Sequence, residues 1–205
     1  GHLLPKPPVQ VYAAGEQASV PLLVGWNSVE STFRAVIGDA PPTPAVYKSA
    51  VREQFGDRAD RVLDLYPAAT WEEVIQAGTD LASDRFMGYA TWKWSHTHRQ
   101  TNSPVYRYFY THPRPPMKPG KANNVPGLAG ENENAGRVTL PRGAVHSAEI
   151  EYALGNLQAN DIYAWTPEDR AVSKKMKGYF ANFIKTGNPN GANLPSWPAA
   201  GTDER

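Results

Sequence analysis

Residues 20–32 read VPLLVGWNSVEST, and the fold is decided by how they are read. Val20 to Val24 is short, almost wholly apolar and closed by Gly25. That is the pattern of a strand buried on both faces, with Pro21 tolerable near its start. Directly beyond it come Trp26, Asn27, Ser28, Val29 and Glu30. Ligand sites of open α/β sheets lie just past the carboxyl ends of strands, so the isolated carboxylate of Glu30 stands where it could act. A second stretch far downstream, GAVHSAEIEYALGNL over residues 143–157, puts His146 in a turn. It continues as a short helical run holding Glu149 and Glu151.

Working outward, the prolines at positions 5, 7 and 8 predict an irregular lead-in over residues 1–19. Thr43 before Pro44 is a cap with proline at the first helical position, and Gly56 closes that helix. Its apolar residues Val46, Tyr47, Ala50, Val51 and Phe55 recur at helical spacing. Asp57 is expected to cap a second short helix that stops before Pro67. Thr70 with Glu73 forms a capping box for a longer helix. This helix is expected to pass Asp84 and Phe86 toward Trp92, weakened locally by Gly78 and Gly88. Val105 to Tyr110 is aromatic and β-branched, which favours a second strand. Residues 120–136, rich in Gly, Asn and Pro, read as a long mobile loop of the kind kept for function. A last helix runs from Thr166 as cap to Gly187, with Val172, Met176, Tyr179, Phe180 and Phe183 as its buried stripe.

Composition narrows the function classes. With 40% apolar and 20% charged residues the chain is an ordinary globular sequence. A net charge of +1 supplies no long-range field, and no basic run interleaves with aromatics, so nucleic acid is not an expected partner. No apolar run approaches the roughly 18 residues of a membrane helix, and the first residues do not read as a secretory signal. The absence of cysteine excludes disulfides and thiolate metal sites and fixes no compartment. His96, His98 and His112 suggest a metal only superficially, because residues two apart on a helix do not share a face and no carboxylate lies at a convincing spacing. Only two strands appear, and sheets usually have about four to six. The chain is therefore read as part of a larger sheet.

Five segments then point the same way: GHLLPKPP at the start, PLLVGWNSVEST, PVYRYFYTHPRP, GAVHSAEIEYALGNL, and YFANFIKTGNPNG followed by LPSWP. In this order the chain resembles the C-terminal portion of the type B carboxylesterases, the α/β-hydrolase family that includes p-nitrobenzyl esterases and cholinesterases. The resemblance implies an α/β fold in which residues 1–205 supply the last strands of a mostly parallel sheet with their flanking helices, part of a single domain that is incomplete without its N-terminal part. Glu30, which follows the Gly-x-Asn at residues 25–27, matches the triad acid, and His146 matches the triad base. Acid before histidine is the chain order of an α/β-hydrolase triad. Val29 and Ser31 stand where the family usually has an acidic residue and a glycine. Glu149 matches a carboxylate one turn past the histidine and is assigned a supporting role.

The implied chemistry is ester hydrolysis. His146 would take the proton of a serine and return it to the leaving alcohol, while Glu30 orients and stabilises the imidazolium. The serine of a G-x-S-x-G elbow and the oxyanion loop are expected on the N-terminal part, which is thus the expected partner together with a small-molecule ester. This chain alone is expected to be inactive, and no cofactor or metal is implied. Trp26, beside the acid, is the aromatic residue expected to touch substrate. Taken without the resemblance, such a histidine reads as a cap or surface group and Glu30 as a solvated loop carboxylate. Two other functions remain in view: a non-catalytic, esterase-like adhesion protein, and an aromatic-rich carbohydrate-binding module built on residues such as Trp92 and Trp94.

Overall fold

The computed structural model of the chain describes residues 6–121 and 143–201. Two strands, β1 (Leu22–Asn27) and β2 (Val105–Tyr110), pair in parallel with Leu22 opposite Val105 and Asn27 opposite Tyr110. β2 coincides with the expected aromatic segment. β1 does not coincide with Val20–Val24: it begins after Pro21, which has no N–H for the ladder, and it runs on through Gly25. The ring of Tyr108 lies across Gly25 so closely that a Cβ there would collide with it. Glycine admits the tyrosine and does not end the strand. Nor is β1 buried on both faces. Val24 and Asn27 are buried, but Leu22, Leu23, Gly25 and Trp26 are only half-buried, with no strand beyond β1 among the described residues to flank them.

The two outer edges of this sheet differ. The N–H of Leu22 reaches Pro104 and that of Ser28 reaches Tyr110, so even-numbered residues of β1 face β2. The N–H groups of Leu23 and Gly25 therefore point outward, with no partner among the described residues. The outer edge of β2 is covered. Ala200 donates to the Val105 carbonyl at 2.7 Å, and the Trp197 indole donates to the Arg107 carbonyl at 3.1 Å.

Helices pack around the pair. α1 (Pro8–Ala13) replaces the expected irregular lead-in, since proline in a first helical turn is pre-set for the helix. α2 (Arg34–Ile37) follows the acid loop. α3 (Pro44–Phe55) has the Thr43 cap, its hydroxyl accepting from Val46, and ends at Gly56 with φ +53°. Asp57 caps nothing: Gly56–Arg58 is a 3₁₀ turn leading straight into α4 (Ala59–Leu65), which has no side-chain cap. α5 (Trp71–Ser83) carries the complete Thr70–Glu73 capping box. It continues through a π-helical turn at Asp84–Gly88 into α6 (Tyr89–His98). α7 (Ile150–Leu154) and α8 (Pro167–Thr186) close the described chain, the latter with a Thr166–Asp169 capping box and Gly187 at its end.

Two cores result. One is formed by α2 to α5, where Tyr47, Val51 and Val74 are fully buried and Phe33 nearly so. Each such side chain contributes about 1.5–3 kcal/mol through removal from water. The other gathers Tyr110, Ala144, Ala148, Tyr152, Leu157 and Met176 between β2, α7 and α8. α6 packs on one face of the sheet, and Phe180 and Phe183 of α8 meet Tyr108 and Tyr106 on the other. The long loop expected over residues 120–136 lies, from residue 122 onward, outside the described residues.

Candidate active site

Glu30 lies three residues beyond β1, in a loop held down on α5. The Ser83 hydroxyl of α5 accepts from the Ser31 N–H and donates to the Ser31 carbonyl, both at 3.2 Å, and Thr79 accepts from the Phe33 N–H at 3.1 Å. Gly78 lets the loop come this close: a Cβ on it would sit 2.9 Å from the Phe33 Cβ. The glycine expected to weaken α5 is the one that lets the acid loop dock on it. With its loop fixed, Glu30 turns back to the strand end, and its Oε1 accepts the Asn27 N–H at 2.6 Å.

His146 comes from the opposite side. Val29 continues the line of β1 and bridges in parallel to Val145, with the Val29 N–H donating to Ala144 at 2.8 Å. The Ser28 hydroxyl accepts the Ala144 N–H at 2.9 Å, and a Cβ on Gly143 would strike that hydroxyl. The Asn27 side-chain amide donates to the Val145 carbonyl at 2.9 Å and to Glu149 Oε2 at 2.5 Å. One residue after the histidine, Ser147 adopts φ +65°. A non-glycine residue held in that region costs of order 1 kcal/mol and persists only where its surroundings over-determine it.

These two loops bring Glu30 and His146 together. Nδ1 of His146 meets Glu30 Oε2 at 2.5 Å; the carboxylate side chain is 4% exposed and the imidazole 34%. An ionised carboxylate only accepts, so in the neutral ring Nδ1 carries the proton and the Nε2 lone pair is presented outward. Nε2 has no partner among the described residues. The edge of Phe86, in the π-helical turn, lies against the same ring at 5.4 Å between centroids. Tyr108, beneath the site, is held in its neutral phenol form: burial raises its pKa first, and the carboxylates of Glu149 and Glu30 raise it further. The arrangement can accept a proton at Nε2 and stabilise the imidazolium that forms.

The carboxylesterase family's sequence profile matches residues 1–205. The chain belongs to the carboxylesterase family. It is 33% identical to carboxylesterase 4A of Bos taurus over 97% of its own length and 35% of that relative. Against carboxylesterase 5A of Canis lupus familiaris it is 25% identical over its whole length and 35% of the relative. Against pyrethroid hydrolase Ces2e of Rattus norvegicus it is 26% identical, again over its whole length and 35% of the relative. The chain thus spans about a third of the length of the relatives it matches. Membership of the carboxylesterase family implies an α/β-hydrolase fold, and a small parallel sheet flanked by helices is consistent with part of such a domain.

The other singled-out residues of this carboxylesterase-family chain disperse. Trp26 packs tilted on Phe109 at 6.1 Å between centroids beside Gly88, and among the rings it is Phe86 that touches His146. His98 is buried with Nε2 2.7 Å from the Val20 carbonyl, His96 stacks on Trp92, and His112 lies 2.8 Å from Asp169. Trp92 stacks with Tyr89, and Trp94 meets Tyr12 edge-on. Asp84 accepts from the Tyr66 hydroxyl, and Arg85 donates to Gln54; the two do not pair with each other. No helix among the described residues is long and apolar enough to cross a membrane.

Several residues that build the site escaped the reading of the sequence. Thr79 and Ser83 are polar at positions of α5 that share the buried face with Ile75, and that misfit in the apolar spacing was a usable signal. Asn27, fully buried at a strand end, was visible only as part of a motif. Phe86 gave no local signal at all.

Proposed function

We propose that this chain is the C-terminal portion of a type B serine carboxylesterase, with residues 1–205 forming part of a single α/β-hydrolase domain. In this reading His146 is general base and then general acid of a Ser-Glu-His triad, and Glu30 is its orienting anion. The serine and the oxyanion-hole N–H groups belong to an N-terminal part of the same enzyme, which packs beside β1 and is the partner this chain needs. The observation that carries the proposal is the buried Glu30 carboxylate, fixed by the Asn27 N–H through one oxygen and within 2.5 Å of His146 Nδ1 through the other. Family membership supplies the reaction type. The outward N–H groups of Leu23 and Gly25 agree with further strands on that side.

The substrate class is a carboxylic ester with an apolar or aromatic part, suited to the exposed Phe86 ring at the imidazole. Neither a metal nor an organic cofactor takes part in this scheme. The test uses the whole enzyme, with p-nitrophenyl acetate as substrate and a fluorophosphonate to label the serine. His146→Ala is expected to lower kcat by about 10⁴-fold or more. Glu30→Gln, which misdirects the imidazole tautomer, is expected to cost about 10⁴-fold. Hydrolysis at the wild-type rate in either variant would remove the assignment.

A further inference from the structure

The chain holds a buried cation that the proposed proton transfer does not use. Arg114 sits in the proline-rich segment after β2, and its side chain is only 4% exposed. Its Nη2 donates to the Ser147 carbonyl at 3.0 Å and to Glu151 Oε2 at 2.8 Å. Glu151, in the first turn of α7, is held by Asn160, whose amide donates to Oε1 at 2.8 Å. The guanidinium also lies over the Tyr163 ring, 5.3 Å from its centroid. Its Nε and Nη1 are buried and make no hydrogen bond among the described residues. A cation kept only to cement a core would be fully paired, because unpartnered buried N–H groups are costly.

What the used nitrogen holds is the carbonyl of Ser147, the residue directly after His146. Ser147 occupies the left-handed region at φ +65°, which a residue with a Cβ leaves readily unless tied. On the other side of the histidine the Asn27 amide holds the Val145 carbonyl. The backbone around His146 is therefore gripped at the carbonyls of its two neighbouring residues, Val145 from β1 by Asn27 and Ser147 from the segment after β2 by Arg114. Turning the Ser147 peptide would swing the imidazole relative to Glu30, whose own position is fixed by the Asn27 N–H.

We propose that Arg114, backed by Glu151, is a positioning residue for His146: it holds the strained Ser147 turn so that the imidazole keeps its alignment. This rests on the esterase reading of the site for its kinetic consequence. In the complete enzyme, Arg114→Gln should lower kcat for p-nitrophenyl acetate about 10- to 100-fold with KM held within about twofold, since misplacement of a catalytic group acts on the chemical step. Arg114→Lys keeps a charge beside Glu151 without the planar fork, and its loss should be smaller than that of Arg114→Gln. Glycine adopts positive φ freely, so adding Ser147→Gly to Arg114→Gln should recover about half of the lost kcat on a logarithmic scale. Full kcat in Arg114→Gln would overturn the proposal. So would a loss that Ser147→Gly does not relieve, which would mark a purely structural ion pair. If the wild-type enzyme hydrolyses no ester, the esterase reading falls, and the positioning claim is read separately from the His146 Nδ1–H resonance in ¹⁵N-labelled protein. That signal should broaden or shift in Arg114→Gln; an unchanged signal overturns the proposal by itself.

Discussion

The region of α2 to α5 and the region around His146 are built on opposite principles. In the first, Tyr47, Val51 and Val74 exclude water completely, and the buried hydroxyls of Thr79 and Ser83 bind the backbone of the loop after Glu30. In the second, buried Asn27, Glu30, Glu151 and Asp169 each hold a polar partner, Asn27 both Glu30 and Glu149, Glu151 the Arg114 guanidinium and Asp169 the Tyr152 hydroxyl. The apolar region tolerates small geometric error, because hydrophobic burial has no direction. The polar region does not, because each buried polar group needs its partner within hydrogen-bond reach. The contrast shows a scaffold that is stable by packing and lends its surface, through Gly78, Thr79 and Ser83, to a site that is defined by geometry.

The contrast can be broken most forcefully from the apolar side. Tyr47→Ala should cost about 3–5 kcal/mol by cavity formation, read as a lowered urea midpoint. If the scaffold is separate in kind, hydrogen exchange should quicken across α3 to α5 well before it does at Ala144 and Val29.

A smaller effect sharpens the polar side. Burial would raise the pKa of Asp169, but hydrogen bonds from Thr166, Tyr152 and His112 outweigh it and hold it at about 2, below its usual 3.8. A carboxylate whose folded pKa is depressed stabilises the fold above its unfolded pKa and loses that contribution as pH falls through the folded value. Stability of roughly 2 kcal/mol should therefore vanish between about pH 4 and pH 2. Asp169→Asn should flatten that limb of a thermal-unfolding titration, and an unchanged limb would show that the α7–α8 junction is not wired in this way.

The smallest test separates local from long-range control. Thr70→Ala removes one half of a capping box at the far end of α5 and should cost about 1 kcal/mol. Because Ser83 and Thr79 lie near the other end of the helix, esterase kcat in the whole enzyme should stay within twofold of the wild type, by the reading proposed above.

Local features of the sequence were legible where local physics decides them. The caps at Thr43, Thr70 and Thr166 and the strand at Val105–Tyr110 follow from side chains acting on their own backbone. Glu30 and His146 stand out through their surrounding motifs, and the structure brings the two together. What could not be read was everything that depends on a distant neighbour. Gly25 resembled a strand end and Gly78 a flaw in a helix, because Tyr108 and Phe33 are not local to them. Asp57 looked like a cap because residue type alone does not reveal that a 3₁₀ turn already joins α3 to α4. Arg114 gave no local signal, since its burial depends on Glu151, Ser147 and Tyr163.

The tail that lies along β2 has a consequence for how the molecule is made. Residues 197–200 leave the ribosome after the two described strands and the eight described α-helices, so during synthesis the β2 margin is bare on the side that Ala200 and Trp197 finally close. Bare strand margins recruit other chains. Until residues 197–200 emerge the nascent protein is therefore open to adhesion along β2, and a frameshift or early stop near position 196 would release a polypeptide that still encodes Glu30 and His146 but leaves that margin unsealed.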